Sequence, residues 1–449
     1  MPVQARKTNS DKSNAQAKRP LRIVPDAAKS AESSKSRAAD KKKNRAGRVS
    51  VPGFSMPFYV GELWTARQRQ MHPLHYTVSY RASFKPELPD FFIRRFLLDR
   101  RITEGVVLDP FGGRGTTVLQ ANLLGFRGIH NDLNPVSIFL SSARQQIPPL
   151  AELIERTEAL DLGARRFRLN AIEKKRLLPF FHPETLNEIL NLREQLLQTI
   201  QAGPAAGVDP ALQYIGLTAL SRLHGHSDGF FSVYSFPQIS IMPEAQARNN
   251  LRRNQTPEYR GVKARIIKKM KADLGSAELA PEFLAAAAKN RYTMSDARKL
   301  KGLRANTVDL VVTSPPFLDK VNYVADNWMR SWFLGYDAEP ELTMTPDVGE
   351  WVEFMAGVMR DLGRVLKPGA RAVIEVGEVA VGQKGANLNL EELLIKQLPM
   401  TLRGGGGRLV AEEVFINSQE FTKLANCWDV KNNAKGTNTN RCLVVRKLV

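Results

Sequence analysis

Two short stretches concentrate residues that could do chemistry. The first, "VVLDPFGGRGTT" (Val106 to Thr117), ends an apolar run in a carboxylate, Asp109, then continues through Pro110 and Phe111 into Gly112, Gly113 and Gly115. Glycines let a backbone approach a ligand closely, and the crevice outside strand carboxyl ends is where open α/β sheets bind small molecules. A Walker loop would end in Gly-Lys-Ser/Thr, and a dinucleotide fingerprint would carry a third glycine where Val118 stands; neither is met. Asp132 follows Asp109 by 23 residues, close to the spacing at which an acid ending the second strand reaches a ribose hydroxyl pair. Asp296, in "YTMSDARKL", comes just before the second stretch, "VDLVVTSPPFLDK" (Val308 to Lys320). There Ser314, Pro315, Pro316 and Phe317 follow another apolar run. Proline fixes φ and removes a donor, so two in sequence would freeze the acceptors around them. Loop and acids together outline an adenosine-containing ligand with charge near Asp109. Singly, each has a plain alternative: a helix entry, a cap, a surface charge, a strand stop.

These residues need elements to hold them. The pattern predicts a strand over Gly105–Pro110, a helix from Thr116 (its N-cap) to Leu124 stopped by Gly125, a short strand near "GIHND", and a strand at "VDLVV". Val348, Trp351, Val352, Met355, Met359, Leu362 and Leu366 recur at helical spacing, leading through a turn at "LKPG" to a strand in "ARAVIEVG". "NRCLVVRKLV" is a further strand candidate. Such alternation argues for an open, largely parallel sheet with helices on both faces. About 160 residues separate Asp132 from Asp296, too many for an unstructured connection. Within them "FHPETLNEILNLREQLLQTI" reads as helix and "LHGHSDGFFSVYSFPQISIMP" as loop.

The letters also carry a family likeness. "DPFGGRGTT" resembles the DPF-x-G-x-G-TT loop of the amino-group (N4-cytosine/N6-adenine) DNA methyltransferases, and "TSPPF" resembles their catalytic S/D/N-PP-Y/F loop. "YRASFKPELPDFFI" is similar to a segment of their cofactor pocket and "RVLKPGAR" to a later turn, so the likeness spans roughly Tyr76–Asp132 and Tyr292–Val449. It implies a Rossmann-like S-adenosylmethionine-dependent methyltransferase fold with a large, mainly helical insertion. The expected divisions are a disordered basic tail (1–55), an N-terminal methyltransferase part (56–145), an insertion (146–288) that is a candidate target-recognition or DNA-binding region although the family's order would place target recognition after Asp296, and a C-terminal methyltransferase part (289–449). S-adenosylmethionine is the implied cofactor. Phe111, Gly113 and Gly115 would contact its methionine moiety, with Asp109, Pro110 and Thr116 alongside. Asp132 would hold the ribose hydroxyls, Asp296 the adenine amino group, and Phe84 would close the other side. Arg114 stands where the family usually has a small residue.

An exocyclic amine is a poor nucleophile because its lone pair is delocalised into the ring. The Ser314 hydroxyl and Pro315 carbonyl, as acceptors for its hydrogens, would favour a tetrahedral nitrogen aimed at the methyl donor. Pro316 adds rigidity, and Phe317 would stack on a base swung out of the duplex. Serine before the prolines points in this family toward cytosine N4, with adenine N6 the alternative. An RNA guanine-N2 methyltransferase and a non-catalytic DNA-binding protein are the competing readings. The implied partner is double-stranded DNA, joined by a cognate restriction endonuclease if the enzyme is of restriction-modification type and by none if it is solitary.

Charge supports a polyanionic partner. Of the net +20, half arises in the first 50 residues, which hold 14 Lys and Arg against 4 acidic residues. Arg248, Arg252, Arg253, Arg260, Lys263, Arg265, Lys268 and Lys269 cluster around Tyr259, a pattern that fits phosphate contacts or a solvated helix face. Cys427 and Cys442 are the only cysteines, too few for a disulfide framework or zinc site, and His224 and His226 lack acids at ligand spacing. No metal is expected. The chain shows no run of about 18 apolar residues and no secretory signal, which predicts a cytoplasmic protein.

Overall fold

The computed structural model describes residues 47–49, 53, 55–64, 71–81, 83–201, 209–236, 241–275, 279–316, 323–336, 347–381, 386–398, 408–418 and 439–449. The chain divides into Met1–Arg45, which lies outside the described residues, and Ala46–Val449. The second unit carries strands β1 (Gly47–Val49), β2 (Phe58–Gly61), β3 (Val106–Asp109), β4 (Arg127–Asn131), β5 (Arg291–Thr293), β6 (Val308–Thr313), β7 (Leu366–Val376), β8 (Glu378–Val381), β9 (Ala386–Asn389), β10 (Leu409–Ser418) and β11 (Thr439–Lys447). Nine form one sheet in the order β1-β2-β10-β11-β7-β6-β3-β4-β5, and β8 pairs with β9. From β7 to β5 every pairing is parallel, whereas β11 is antiparallel to both its neighbours. This is a mostly parallel, Rossmann-like α/β fold. Strand order reverses between β3 and β6, which makes their carboxyl ends the topological switch point and the place where such sheets bind ligands.

Alternation along the strands sets the two faces. Val106, Leu108, Val311, Ala372, Ile374, Leu443 and Val445 share one core with Trp351, Met355, Val358, Met359 and Leu362 of helix Val348–Val365. Val107, Leu310, Val312, Val373, Cys442 and Val444 point the other way, against Phe92, Ile93 and Phe96. Helix Val348–Val365 starts where Asp347 caps the Glu350 N–H at 2.9 Å; Trp351, Met355, Met359 and Leu362 of its buried stripe are those the spacing predicts, Val358 and Val365 join them, and Leu366 opens β7 instead.

Several expectations need correcting. The ordered sheet begins inside the tail assigned to 1–55, because Gly47–Val49 pairs antiparallel with Phe58–Val60. Thr116 is the first helical residue and not the N-cap of helix Thr116–Leu123; the cap is Gly115, whose φ of +79° breaks the helical path just before it. "LKPG" does not form a separate turn but opens β7, with Gly369 at φ +80° and a register shift against β6. Sequence periodicity also gives no sign of β2, β5 or β10.

The long segment between β4 and β5 is the crossover linking two adjacent parallel strands. Its helices, among them Pro183–Gln201, Pro210–Leu220 and Val262–Leu274, bury Leu192, Tyr214, Ile215, Ile266 and Met270 in one core with Leu74, Leu119, Phe139 and Trp328. The insertion therefore shares its core with the residues that flank it in sequence. Residues 221–236 are irregular, as expected, and bury Phe231, Ser232 and Ser235.

Candidate active site

Each sequence-nominated acid lies at or just past the carboxyl end of a parallel strand. Asp109 ends β3, Asp132 follows β4, Asp296 lies three residues after β5, and Ser314 follows β6. Since β6, β3, β4 and β5 are consecutive in the sheet, the register brings all four to one edge.

The glycine loop is fixed by its backbone. Phe111 N–H donates to Asp109 Oδ1 (3.1 Å), Gly112 N–H to Asn131 O (2.9 Å), Gly113 N–H to Asp132 Oδ2 (2.9 Å), and Gly115 N–H to Gly112 O (2.7 Å). Gly113 (φ +50°) and Gly115 (φ +79°) occupy the left-handed region that favours glycine. Gly112 is required for a different reason: a Cβ there would lie 2.2 Å from the ring of His130. That ring is fully buried, with Nε2 2.9 Å from Ser137 Oγ, so it has nowhere to move. Gly112→Ala should lower stability by about 1–3 kcal/mol through overpacking, read as a lower thermal midpoint.

Asp109 has no exposed surface. It accepts the Thr313 hydroxyl at 2.6 Å, which ties β3 to β6, and its Oδ2 is a buried oxygen without a hydrogen-bond partner among the described residues. Burial pushes its carboxyl up to about 6, against the pull of the Thr313, Thr117 and Phe111 donors. Asp132 is partly buried and accepts from Gly113 N–H, Asn134 N–H (2.9 Å) and the Ser137 hydroxyl (2.9 Å); burial raises its carboxyl as well. Asp296 differs. The Arg298 guanidinium forks onto it with a closest approach of 2.6 Å, and these hydrogen bonds hold its carboxyl below the ordinary value.

Pro110 is buried, and its carbonyl accepts from Asn131 Nδ2 at 3.0 Å. The Thr116 hydroxyl accepts Arg114 Nε–H at 3.0 Å. Arg114 also reaches toward the carbonyl of the partly buried Phe84, at 3.5 Å, and so fills the loop's flank. Beneath the loop Arg144 donates to the carbonyls of Leu140, Leu74 and Arg114. Phe111 packs on Phe354 at 5.9 Å between ring centroids, and Arg298 lies over the other partner of that pair, 5.4 Å from the Phe354 ring.

The rigid turn has its own anchor. Trp351, wholly buried, donates its indole N–H to Pro316 O at 3.0 Å; Pro315 is buried, while Ser314 and Pro316 are partly exposed. Phe317 lies outside the described residues. Trp351→Phe should cost about 1–3 kcal/mol, measured by urea unfolding.

Sequence reasoning missed several residues here. Asn131 bonds Pro110 O, Ser295 O (2.8 Å), Ser295 Oγ (2.8 Å) and Thr293 Oγ1 (2.8 Å), joining the ends of β3, β4 and β5. Its only signal was adjacency to Asp132. Tyr80 lies against Gly113, its ring 3.7 Å from where a Cβ would stand, and Trp351 was read simply as part of an apolar stripe.

The basic cluster separates into two kinds. Arg248, Arg252 and Arg253 are exposed on helix Pro243–Arg253, with Arg253 stacked 3.9 Å over Tyr234. Arg260 is turned inward, donating to the carbonyls of Phe230 (3.2 Å) and Ser232 (2.5 Å), and so satisfies carbonyls that the irregular 221–236 segment does not pair in a regular ladder. Lys263 binds Glu158 O at 2.7 Å and Arg265 binds Asp228 O at 2.9 Å. Among the described residues no group of three or more His, Cys, Asp or Glu could hold a metal ion, and no helix is long and apolar enough to cross a membrane.

No protein-family model matches the chain. Over 80 residues it is 28% identical to the Type II methyltransferase M.MjaII of Methanocaldococcus jannaschii, a match spanning 18% of this chain and 14% of that protein's length. Among solved structures, it is similar to a protein of Thermus thermophilus described as a DNA modification methylase and complexed with S-adenosyl-L-methionine (24% identity, 34% of this chain and 54% of that one, TM-score 0.21). A SAM-dependent methyltransferase of Methanosarcina mazei matches with 11% identity over 80% and 97% of the two chains and a TM-score of 0.30. The rRNA methyltransferase aviRa of Streptomyces viridochromogenes matches with 12% identity over 83% and 91% and a TM-score of 0.27. The fold assignment rests on the sheet order and not on these scores.

Proposed function

We propose that the protein is a site-specific DNA methyltransferase that moves a methyl group from S-adenosylmethionine to an exocyclic amino group of a flipped base, cytosine N4 in preference to adenine N6. The observation that carries this reading is the convergence, at one sheet edge, of a glycine loop, three strand-end acids and a serine on a proline-stiffened turn. The donor set fits the ligand. A buried carboxylate oxygen at Asp109 that has no hydrogen-bond partner among the described residues suits a cationic group, the left-handed glycines present bare backbone, and Asp132, already oriented by three donors, keeps lone pairs for a diol. When bound, S-adenosylmethionine supplies an electrophilic methyl on a sulfonium.

The chain's own residues do the rest. Ser314 Oγ and the Pro315 carbonyl accept the hydrogens of the target amine and so localise its lone pair. Trp351 and the prolines keep those acceptors still, so little reorganisation accompanies the reaction. Exposed Arg248, Arg252 and Arg253 supply phosphate contacts that position the duplex without reading it. A base held for direct displacement requires no metal and no covalent adduct with the protein.

The test is to incubate the protein with labelled S-adenosylmethionine and either duplex DNA or RNA, then digest to nucleosides. Label in N4-methylcytosine is the expected result. Label in N6-methyladenine would change the base and keep the reaction. Transfer confined to RNA, or to neither, would overturn the reading.

A further inference from the structure

The amino-acid end of S-adenosylmethionine carries two opposite charges, and the acids of the site answer only one of them. Asp109 suits the ammonium and Asp132 the ribose diol, which leaves the carboxylate without a receptor. The glycine loop holds a single cation, the partly buried Arg114. Its Nε–H donates to Thr116 Oγ1 at 3.0 Å, while Nη2 comes no closer than 3.5 Å to the Phe84 carbonyl, too long for a strong hydrogen bond. Most of the five N–H donors of its guanidinium are therefore unspent. Among the described residues Arg114 forms no ion pair.

Acids stand unpaired around the same loop. Asp109 at its start and Glu87, three residues beyond Phe84 in the helix Glu87–Ile93, each keep a buried carboxylate oxygen with no hydrogen-bond partner among the described residues. A buried charge is costly unless it is paired, and pairing Arg114 with either acid would have satisfied both signs at once. Neither pair is formed. A zwitterion is the kind of ligand that answers both. The place is also right for the methionine end. Phe84 packs with residues of β3, β6 and β7 and with none of β4 or β5, so reaching toward Phe84 sets the guanidinium on the side of the loop away from Asp132 and Asp296. Arg144, the other cation beneath the loop, gives no competing answer, because its three nitrogens are spent on the carbonyls of Leu140, Leu74 and Arg114. The last of these bonds holds the backbone of Arg114 itself.

We propose that Arg114 is the receptor for the carboxylate of S-adenosylmethionine, an inference that rests on the methyltransferase reading above. A planar guanidinium presents fixed donors that match the two oxygens of a carboxylate. The Thr116 hydroxyl holds it from the Nε side and leaves the Nη groups to the ligand. Arg114 thereby selects for an intact amino-acid end, and the glycines on either side of it keep the loop open enough for that end to enter.

The test is calorimetric titration of the wild type, Arg114→Met and Arg114→Lys with S-adenosylmethionine, decarboxylated S-adenosylmethionine and adenosine. The wild type should bind the decarboxylated compound roughly 10–100-fold more weakly than S-adenosylmethionine, the range for hydrogen bonds to a charged group. Arg114→Met should lose a similar factor for S-adenosylmethionine and keep its affinity for the decarboxylated compound, so that the preference for the carboxylate disappears. Arg114→Lys should recover part of it, and adenosine should bind all three proteins alike. A wild type that binds the two sulfonium compounds equally overturns the proposal, needs no variant to fold, and leaves the methyltransferase reading intact. So does an Arg114→Met protein in which all three ligands weaken together, which would make the arginine a brace between the loop and Phe84. A wild type that prefers the carboxylate yet methylates neither DNA nor RNA supports the receptor and removes the reading of the reaction. One that binds no S-adenosylmethionine removes both.

Discussion

Ser314→Ala should reduce methyl transfer by roughly 10²–10³-fold, the usual cost of losing one preorganised hydrogen-bonding group at a reacting centre, while leaving S-adenosylmethionine affinity unchanged. The two effects separate because the serine follows β6, whereas the glycine loop is held from β3 and β4 through Asp109, Asn131 and Asp132. Ser314 forms none of those bonds. An interaction made only with the reacting amine lowers the rate of the chemical step without altering cofactor binding. Single-turnover rates and calorimetric titration of the same preparation check this. Equal rates for variant and wild type would remove Ser314 from the chemistry, and a parallel loss of cofactor binding would make its role structural.

The second large effect concerns Asp109. Its carboxyl holds a proton up to about pH 6 in the folded protein against an ordinary value of 3.8. Between those values the native state binds more protons than the unfolded one, so stability falls as pH rises. Above pH 6 the loss is complete, at most about 3 kcal/mol for a shift of this size. Asp109→Asn should therefore raise the urea midpoint at pH 7 and flatten its dependence between pH 4 and 6. Ligand binding should respond in the opposite sense. A cation is held by the ionised form, so S-adenosylmethionine affinity in the wild type should weaken as pH falls through 6, and the asparagine variant should bind weakly at every pH. Undiminished affinity in Asp109→Asn at pH 8 would show that the carboxylate serves the loop alone.

What could be read from the letters, and what could not, follows from how far each interaction reaches along the chain. The glycine loop and the Ser-Pro-Pro turn are local, each specified within a dozen residues, and both lie at strand ends as their flanking apolar runs predicted. Spacing nominated Asp132, and position before a strand nominated Asp296. Their detailed partners were not legible, because Arg298 engages Asp296 through a side-chain geometry that two intervening letters do not fix. β5 escaped notice since "RYT" is three residues long and only partly buried. β10 escaped because its pairing with β2 and β11 is set by distant chain segments. Asn131 and Trp351 act across separations of 21 to 164 and of 35 residues respectively, and a one-dimensional pattern carries no mark of such pairings. Arg260 illustrates the converse. Its letter in a basic run suggests a surface, yet its side chain is 12% exposed and binds carbonyls some 30 residues back.

The crossover between β4 and β5 also bears on how the protein is made. Asn131 and Thr293 are register partners in neighbouring strands, but the ribosome delivers them far apart in time. At about 5–20 residues per second, roughly 8–30 s pass between the two, and β6 with its serine emerges later still. For most of that interval the glycine loop waits with one flank of its sheet unpaired, since β3 lies between β4 and the later β6. The helical segment, which can collapse from local contacts, is synthesised in between, so the nascent chain gains a partly buried platform before the last parallel strands arrive. Truncated chains ending near residue 290 should accordingly be compact and helical yet unable to complete the edge on which the acids converge, and they would depend on chaperones to stay soluble.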